Sequence, residues 1–346
     1  QALCDGLTRF GSRSAHDKQH YLIAPAKSHL QQGIRIDCAR SITAMDLLLP
    51  LCNDVVFEHL PALNEAGWQT RNAFLNEHGI RILRSGDTLH VRGSLKSGTY
   101  HFNRTFGIRL ASSVMIALAL CDGVSIISVD SDAHNMHSYL VMTAETMRRF
   151  GVDILSSATG YIVYGNQTYT SPRQCAVEAD WDTAAMWLAA KHAGASIELE
   201  NLPENSYQNS KRIRSLLPDV GHDVNLDGQM NLLPALCIAA AQCPKDTTIH
   251  GICTQNNPCV DAVKSVLESL GVGCMVSEDS MTVHGGNIRG AMVDCAGDSR
   301  LAMMAALCAT FAQSPVTIQN AESVLKSDPS FYRRLQNLGA DIQIEQ

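Results

Sequence analysis

Four stretches of the chain carry residue types that can do chemistry. Asp130-Ser131-Asp132-Ala133-His134-Asn135-Met136-His137 places two carboxylates and two imidazoles in one short run. Such a set can hold zinc or another divalent ion. A His-x-x-His run before a helix is more often a polar surface turn, and no metal is expected. Asp180-Trp181-Asp182 has the look of paired acids. The stronger reading is structural, with Asp182 as a helix N-cap and Asp180 supporting the joint between domains. Cys253 and Cys259 fit no standard redox or metal spacing and read as free thiols. Arg300 and Lys326, taken alone, read as surface cations, and Trp68 and Trp187 read as core anchors.

The elements that must position these residues follow a repeated grammar. A helical stretch ends in Gly, and short alternating strands follow. Tyr139 to Gly151 reads as an amphipathic helix with Leu140, Ala144, Met147 and Phe150 on one face and Gly151 as its stop. Val152-Asp-Ile-Leu155 and Tyr161-Ile-Val-Tyr164 read as the strands after it. The order returns at Asp261 to Gly271, with strands at 272–276 and 280–284. It returns at His78-Gly79, with strands at 80–83 and 88–91, and at Leu338-Gly339, with a strand at 341–344. A period of roughly 60–70 residues is too long for the common solenoids and suits a βαβαββ unit used several times. The stretches 111–121, 183–193, 232–242 and 299–312 are apolar on nearly all sides, as helices at the centre of a domain are. Ser171-Pro172 is a natural joint, so the expected domains are 1–172, with its N-terminal part incomplete, and 173–346.

Composition bounds the function classes. In 346 residues, 18% are charged and 45% hydrophobic, the balance of a protein that buries large cores. A net charge of -7 leaves no chain-wide basic footprint, so no nucleic-acid partner is expected. An anionic ligand in a locally basic cleft remains compatible with it. No apolar run reaches spanning length, so no membrane partner is expected either. The 12 cysteines sit mostly in apolar stretches and include no C-x-x-C. That argues for buried thiols in a reducing cytoplasm rather than a disulfide scaffold.

Several segments, in order along nearly the whole chain, resemble the enolpyruvyl transferases. Within them the chain is similar to the enolpyruvylshikimate-phosphate synthase branch rather than the peptidoglycan branch. Val177-Glu178-Ala179-Asp180 before an Ala-rich helix resembles the family's Val-Glu-Gly-Asp, and 165–172 resembles the segment preceding it. Gly297-Asp298-Ser299-Arg300-Leu301-Ala302-Met303 resembles Asp-His-Arg-Ile-Ala-Met. The segment 321–331, with Lys326, Pro329 and Phe331, resembles Lys-x-x-Pro-x-Phe. The resemblance implies an α/β (α+β) fold of two domains built from βαβαββ units with buried helices, closing on ligand. It implies carboxyvinyl transfer from phosphoenolpyruvate to shikimate 3-phosphate with no metal or organic cofactor. Such a site needs converging Arg and Lys for two phosphates and two carboxylates, and a carboxylate and a Lys to move protons.

Residue by residue, the chain departs from that pattern. The family's Gly-Thr-x-x-Arg falls on Ile42-Thr43-Ala44-Met45-Asp46, which reverses a charge. Its Arg-Pro falls on Ala66-Gly67, its Ser-Ser-Gln on Gly107-Ile108-Arg109, and its Pro-Asp on Pro234-Ala235. Its Arg-x-Lys-Glu-x-x-Arg loop falls on 253–259, placing Gln255 and Asn256 where the Lys and Glu belong. The His of Asp-His-Arg falls on Ser299. No catalytic residue is therefore assigned with Ala235, Gln255, Asn256 and Ser299 at the family's positions. Thr43, Tyr139, Arg300 and Lys326 are the retained substrate-side residues, with Arg109 as a local substitute cation. The loop at 130–137 belongs, by the resemblance, to the shikimate-phosphate side, where a changed ligand preference is an alternative to metal binding. Ala2-Leu3-Cys4-Asp5-Gly6-Leu7 resembles the end of a helix in the family's first unit, so the family's Lys-Ser-x-x-x-Arg segment, either lost or lying ahead of Gln1, falls outside this sequence. The expectation is a weak or inactive transferase. The alternative is a metabolite-binding or scaffold protein on the same fold, with a small anionic metabolite, a protein partner or a larger multidomain chain as its context.

Overall fold

The computed structural model describes residues 2–17, 20–25, 33–103, 106–130, 134–252, 254 and 257–344, without the side chains of His134, Asn135 and Lys326. The chain divides into two compact units, Gln1–Cys175 and Ala176–Gln346.

The first unit opens with helix α1 (Ala2–Arg9) and a hairpin of β1 (Arg13–His16) and β2 (Tyr21–Ala24). Two βαβαββ units follow. The first runs β3 (Ile34–Asp37), α2 (Ile42–Leu48), β4 (Val55–Glu58), α3 (Glu65–Glu77), β5 (Ile80–Ser85) and β6 (Thr88–Gly93). The second runs β7 (Thr99–Phe102), α4 (Ile108–Leu118), β8 (Val124–Val129), α5 (His134–Arg149), β9 (Ile154–Ser157) and β10 (Gly160–Tyr164). Their sheets have the same plan, β3-β4-β6-β5 and β7-β8-β10-β9. In each, the first two strands run parallel across a buried helix and the last pair forms an antiparallel hairpin. Parallel neighbours need such a crossover, which is why the inner helix sits between them in sequence.

The second unit repeats the plan. After α6 (Trp181–His192) and the short α7 (Ile213–Leu216) come β11 (Asp223–Asn225), α8 (Leu233–Gln242), β12 (Thr247–His250), α9 (Pro258–Ser269), β13 (Gly273–Val276) and β14 (Ser280–His284), in sheet order β11-β12-β14-β13. A further copy runs β15 (Met292–Asp294), α10 (Ser299–Ala309), β16 (Thr317–Gln319) and α11 (Phe331–Asn337). The segment 341–344, expected as a strand, is not one: it pairs with no strand among the described residues, and its Ile342 carbonyl accepts from the Gln336 side-chain amide at 3.1 Å.

The glycines that end the helices do so by conformation. Gly79, Gly151, Gly271 and Gly339 all have positive φ, from 76° to 103°. A Cβ at Gly79 would lie 2.6 Å from the Ser94 carbonyl, so the turn into β5 needs glycine on both counts. Each unit has its own core. The all-apolar helices form the centre of the second, where α8 is buried over its whole length except Gln242. Trp68 packs into the first core and Trp187 into the second, where it lies 5.3 Å from Phe331. The eleven described cysteines are free thiols, of which Cys38, Cys52, Cys237, Cys295 and Cys308 are buried. Among the described residues, no helix is long and apolar enough to cross a membrane.

Candidate functional site

Each unit gathers some of the expected residues, and each is built from the starts of its inner helices. In the first unit, Ser41 caps α2, its side chain accepting from the Ala44 N–H. Thr43 is half-buried on the first turn. One turn on, Asp46 is buried, 1% exposed, on the same face of α2 as core residues. It is held by Arg71 of α3, whose Nε and Nη2 donate to Oδ1 at 3.2 Å and Oδ2 at 3.0 Å. The Arg71 side chain is 11% exposed, so both charges are withdrawn from water. The pair presses on Gly107, the N-cap of α4: a Cβ there would come within 3.0 Å of Arg71 Nη2 and 3.4 Å of Asp46 Oδ2. The negative charge at 46 is thus neutralised internally by a residue that sequence reading passed over. The signal was present, since a carboxylate among apolar neighbours demands a nearby cation.

Arg109, two residues beyond the cap, is exposed and makes no ion pair among the described residues. Two contacts tie the helices here. The Ser113 hydroxyl donates to the Leu47 carbonyl at 2.6 Å, and the Thr143 hydroxyl lies 2.9 Å from that of Ser112 and donates to the Tyr139 carbonyl at 2.8 Å. Thr43, Arg109 and Tyr139 each lie about one turn from these contacts, and Tyr139 is 43% exposed. The run at 130–137 is only partly described, since 131–133 and the His134 side chain lie outside. Asp130 Oδ1 is 3.0 Å from His101 Nε2, and the Asp130 carbonyl is 3.2 Å from His137 Nε2. Among the described residues, no group of three His, Cys, Asp or Glu side chains could hold a metal.

In the second unit the starts of α6, α8, α9 and α10 converge. Asp180 is the N-cap of α6, accepting from the N–H groups of Asp182 and Thr183 at 3.0 and 3.3 Å. This corrects the expectation that Asp182 is the cap. Asp182 instead stands exposed on the first turn, where its Oδ1 accepts from Ser210 and, at 2.8 Å, from Asn231 just before α8. Pro234, Pro258, Cys259, Asp298, Arg300 and Leu301 line a concavity of about 320 Å³ at the starts of α8, α9 and α10. Converging helix N-termini bring partial positive charge, which favours anions. Arg300 adds a full charge, but its Nη2 is also 3.2 Å from Asp298 Oδ2, the cap of its own helix.

The electrostatics of this corner follow from that pairing. Burial pushes the Asp298 carboxyl up, but the bond and charge of Arg300 and two helix N–H groups outweigh it, and the net shift is downward. Burial pushes the Cys259 thiol up, with Arg300 pulling against it, so the group is a thiol and not a nucleophilic thiolate at neutral pH. Ala235 is fully buried in α8, next to Pro234 on the concavity wall. Ser299 Oγ is 2.9 Å from Ser327 Oγ. Gln255, Asn256 and Cys253 fall outside the described residues, as does the Lys326 side chain on the turn 321–326. Among its described lining residues this concavity therefore holds one cation, Arg300, beside a wall of proline, alanine and thiol.

A family model described as EPSP synthase (3-phosphoshikimate 1-carboxyvinyltransferase) matches residues 1–335. A 3-phosphoshikimate 1-carboxyvinyltransferase of Clostridium acetobutylicum is 25% identical over 99% of this chain and 87% of its own length. One of Brachyspira hyodysenteriae is 26% identical over 91% of this chain and 82% of its own length. The EPSP synthase of Acinetobacter baumannii matches in structure with a TM-score of 0.79 at 17% identity, covering 100% of this chain and 88% of that one. That last likeness speaks for the enolpyruvyl transferase fold.

Proposed function

Because the chain belongs to the EPSP synthase family, we propose that it keeps the family scaffold while carboxyvinyl transfer from phosphoenolpyruvate to shikimate 3-phosphate is weak or lost. The observation that carries this reading is the buried Asp46–Arg71 pair. Where the family motif has an arginine, a carboxylate stands, and the cation nearest to it is consumed in neutralising it. Transfer also needs groups to carry protons, and the methyl of Ala235 cannot do so. Losing one well-placed electrostatic group lowers rate by about 10²–10³. Several such losses do not simply multiply, yet they leave little.

A second reading, a binding or scaffold protein for a small anionic metabolite in a soluble cytoplasmic setting, is favoured by Arg300 beside its 320 Å³ concavity. There a cation and helix N-termini remain after the acid–base groups have gone. The test is phosphate release from shikimate 3-phosphate and phosphoenolpyruvate together, with calorimetric binding of each alone. No release from folded protein is expected. Binding without release supports the second reading. Steady release abolished by Lys326→Ala would mean a working, rebuilt site and would overturn the proposal.

A further inference from the structure

A second concavity of the Ala176–Gln346 unit, about 550 Å³, lies between the start of α6 and the segment leading into α7. Its wall includes Trp181, Tyr207, Lys211, Arg212, Arg214 and Gln229. It shares no lining residue with the concavity at Arg300. Three features give it a chemical preference. First, three cations face one carboxylate, Glu204, which pairs with Arg214. Arg212 reaches Asp227 at 3.4 Å and carbonyls of Asn225 and Leu226. Lys211 is exposed and has no ion-pair partner among the described residues.

Second, the wall is built rather than loose. The Gln208 side chain accepts from the Trp181 N–H and donates to the Ala179 carbonyl, both at 2.9 Å, pinning the two segments together. The Arg214 guanidinium lies 4.9 Å from the Trp181 ring centre. Third, two of the lining residues each carry a buried polar atom with no partner among the described residues: Gln229 Oε1, on a residue 8% exposed, and Trp181 Nε1, on one 1% exposed. One is an acceptor and the other a donor. Leaving both dry is unfavourable. A hydroxyl group can satisfy either.

We propose that this concavity binds a small phosphate monoester carrying free hydroxyl groups, such as a sugar phosphate. The phosphate meets Lys211, with Arg212 and Arg214 beside it, and a hydroxyl meets Gln229 or Trp181. A phosphate monoester carries close to two negative charges at neutral pH, and Lys211 is the lining cation that no carboxylate meets among the described residues. The volume lies within the usual range of small-molecule sites. The inference does not rest on the transferase reading, because none of these residues belongs to the positions compared with the family's motifs.

The test titrates the full chain with ribose 5-phosphate, ribose and inorganic phosphate, reading heat and the Trp181 indole N–H resonance. Ribose 5-phosphate is expected to bind at least about tenfold tighter than either fragment and to shift that resonance. Lys211→Glu, on an exposed side chain, should weaken both phosphate-bearing probes by about tenfold or more. Gln229→Leu should weaken ribose 5-phosphate and leave inorganic phosphate unchanged. No binding of ribose 5-phosphate, or binding indifferent to Lys211→Glu, overturns the proposal. Lys211→Glu keeps the test decisive even where Gln229→Leu fails to fold.

Discussion

Asp46 and Arg71 show how one position can change meaning. A carboxylate buried without a partner is expensive, and the bidentate guanidinium removes most of that expense. Asp46→Ala should strand a buried cation and destabilise the chain by about 3–5 kcal/mol, measured as a lowered urea midpoint. Replacing both residues by leucine should lose far less, so the double variant should be more stable than Asp46→Ala. Equal losses would mean that the pair is not coupled. The carboxylate itself was legible in the sequence as a charge within an apolar run. Its partner was not, because Arg71 lies 25 residues away and meets it only through the packing of α2 and α3. Likewise Ser210 and Asn231 showed no local signal, since their meeting with Asp182 depends on two turns that carry no periodic pattern.

Among elements, the helix starts do most of the positioning. Two aspartates two residues apart can both serve as caps on paper, and the sequence alone favoured the later one. The backbone decides: Asp180 has extended φ and ψ of -76° and 111°, whereas Asp182 is already helical. Asp180→Ala should cost about 1 kcal/mol in a denaturant titration. The cap of α10 adds a pH signature. The Asp298 carboxyl lies below its ordinary value in the folded chain, so its contribution is full above the unfolded value. It is lost as pH falls through the lowered one. The stability gap between the chain and Asp298→Asn should therefore shrink between neutral pH and about pH 3. A gap that stays constant with pH would mean that the carboxylate's charge does no stabilising there. Helix ends marked by Gly were legible because positive φ selects that residue. The strand expected at 341–344 was misread, because alternation shows a strand only where a partner strand exists.

At the scale of the molecule, the βαβαββ period was readable because each unit repeats one hydrophobic plan, and the same sheet order appears three times. Each compact unit encloses its own core. The segment 176–346 expressed alone should therefore unfold cooperatively, as seen by circular dichroism during heating. A molten chain with no transition would show that it depends on the other unit. The thiols offer an independent readout. Burial pushes Cys38, Cys295 and Cys308 each up to about 12, so a thiol reagent at neutral pH should label them only after unfolding.

The Asp46–Arg71 contact also bears on descent. Arginine placed at 46 alone would set two guanidiniums face to face against Gly107, and loss of Arg71 alone would leave a naked carboxylate. Either first step costs stability before a second can repair it. A lineage carrying this pair is therefore expected to keep, or replace, the two residues together.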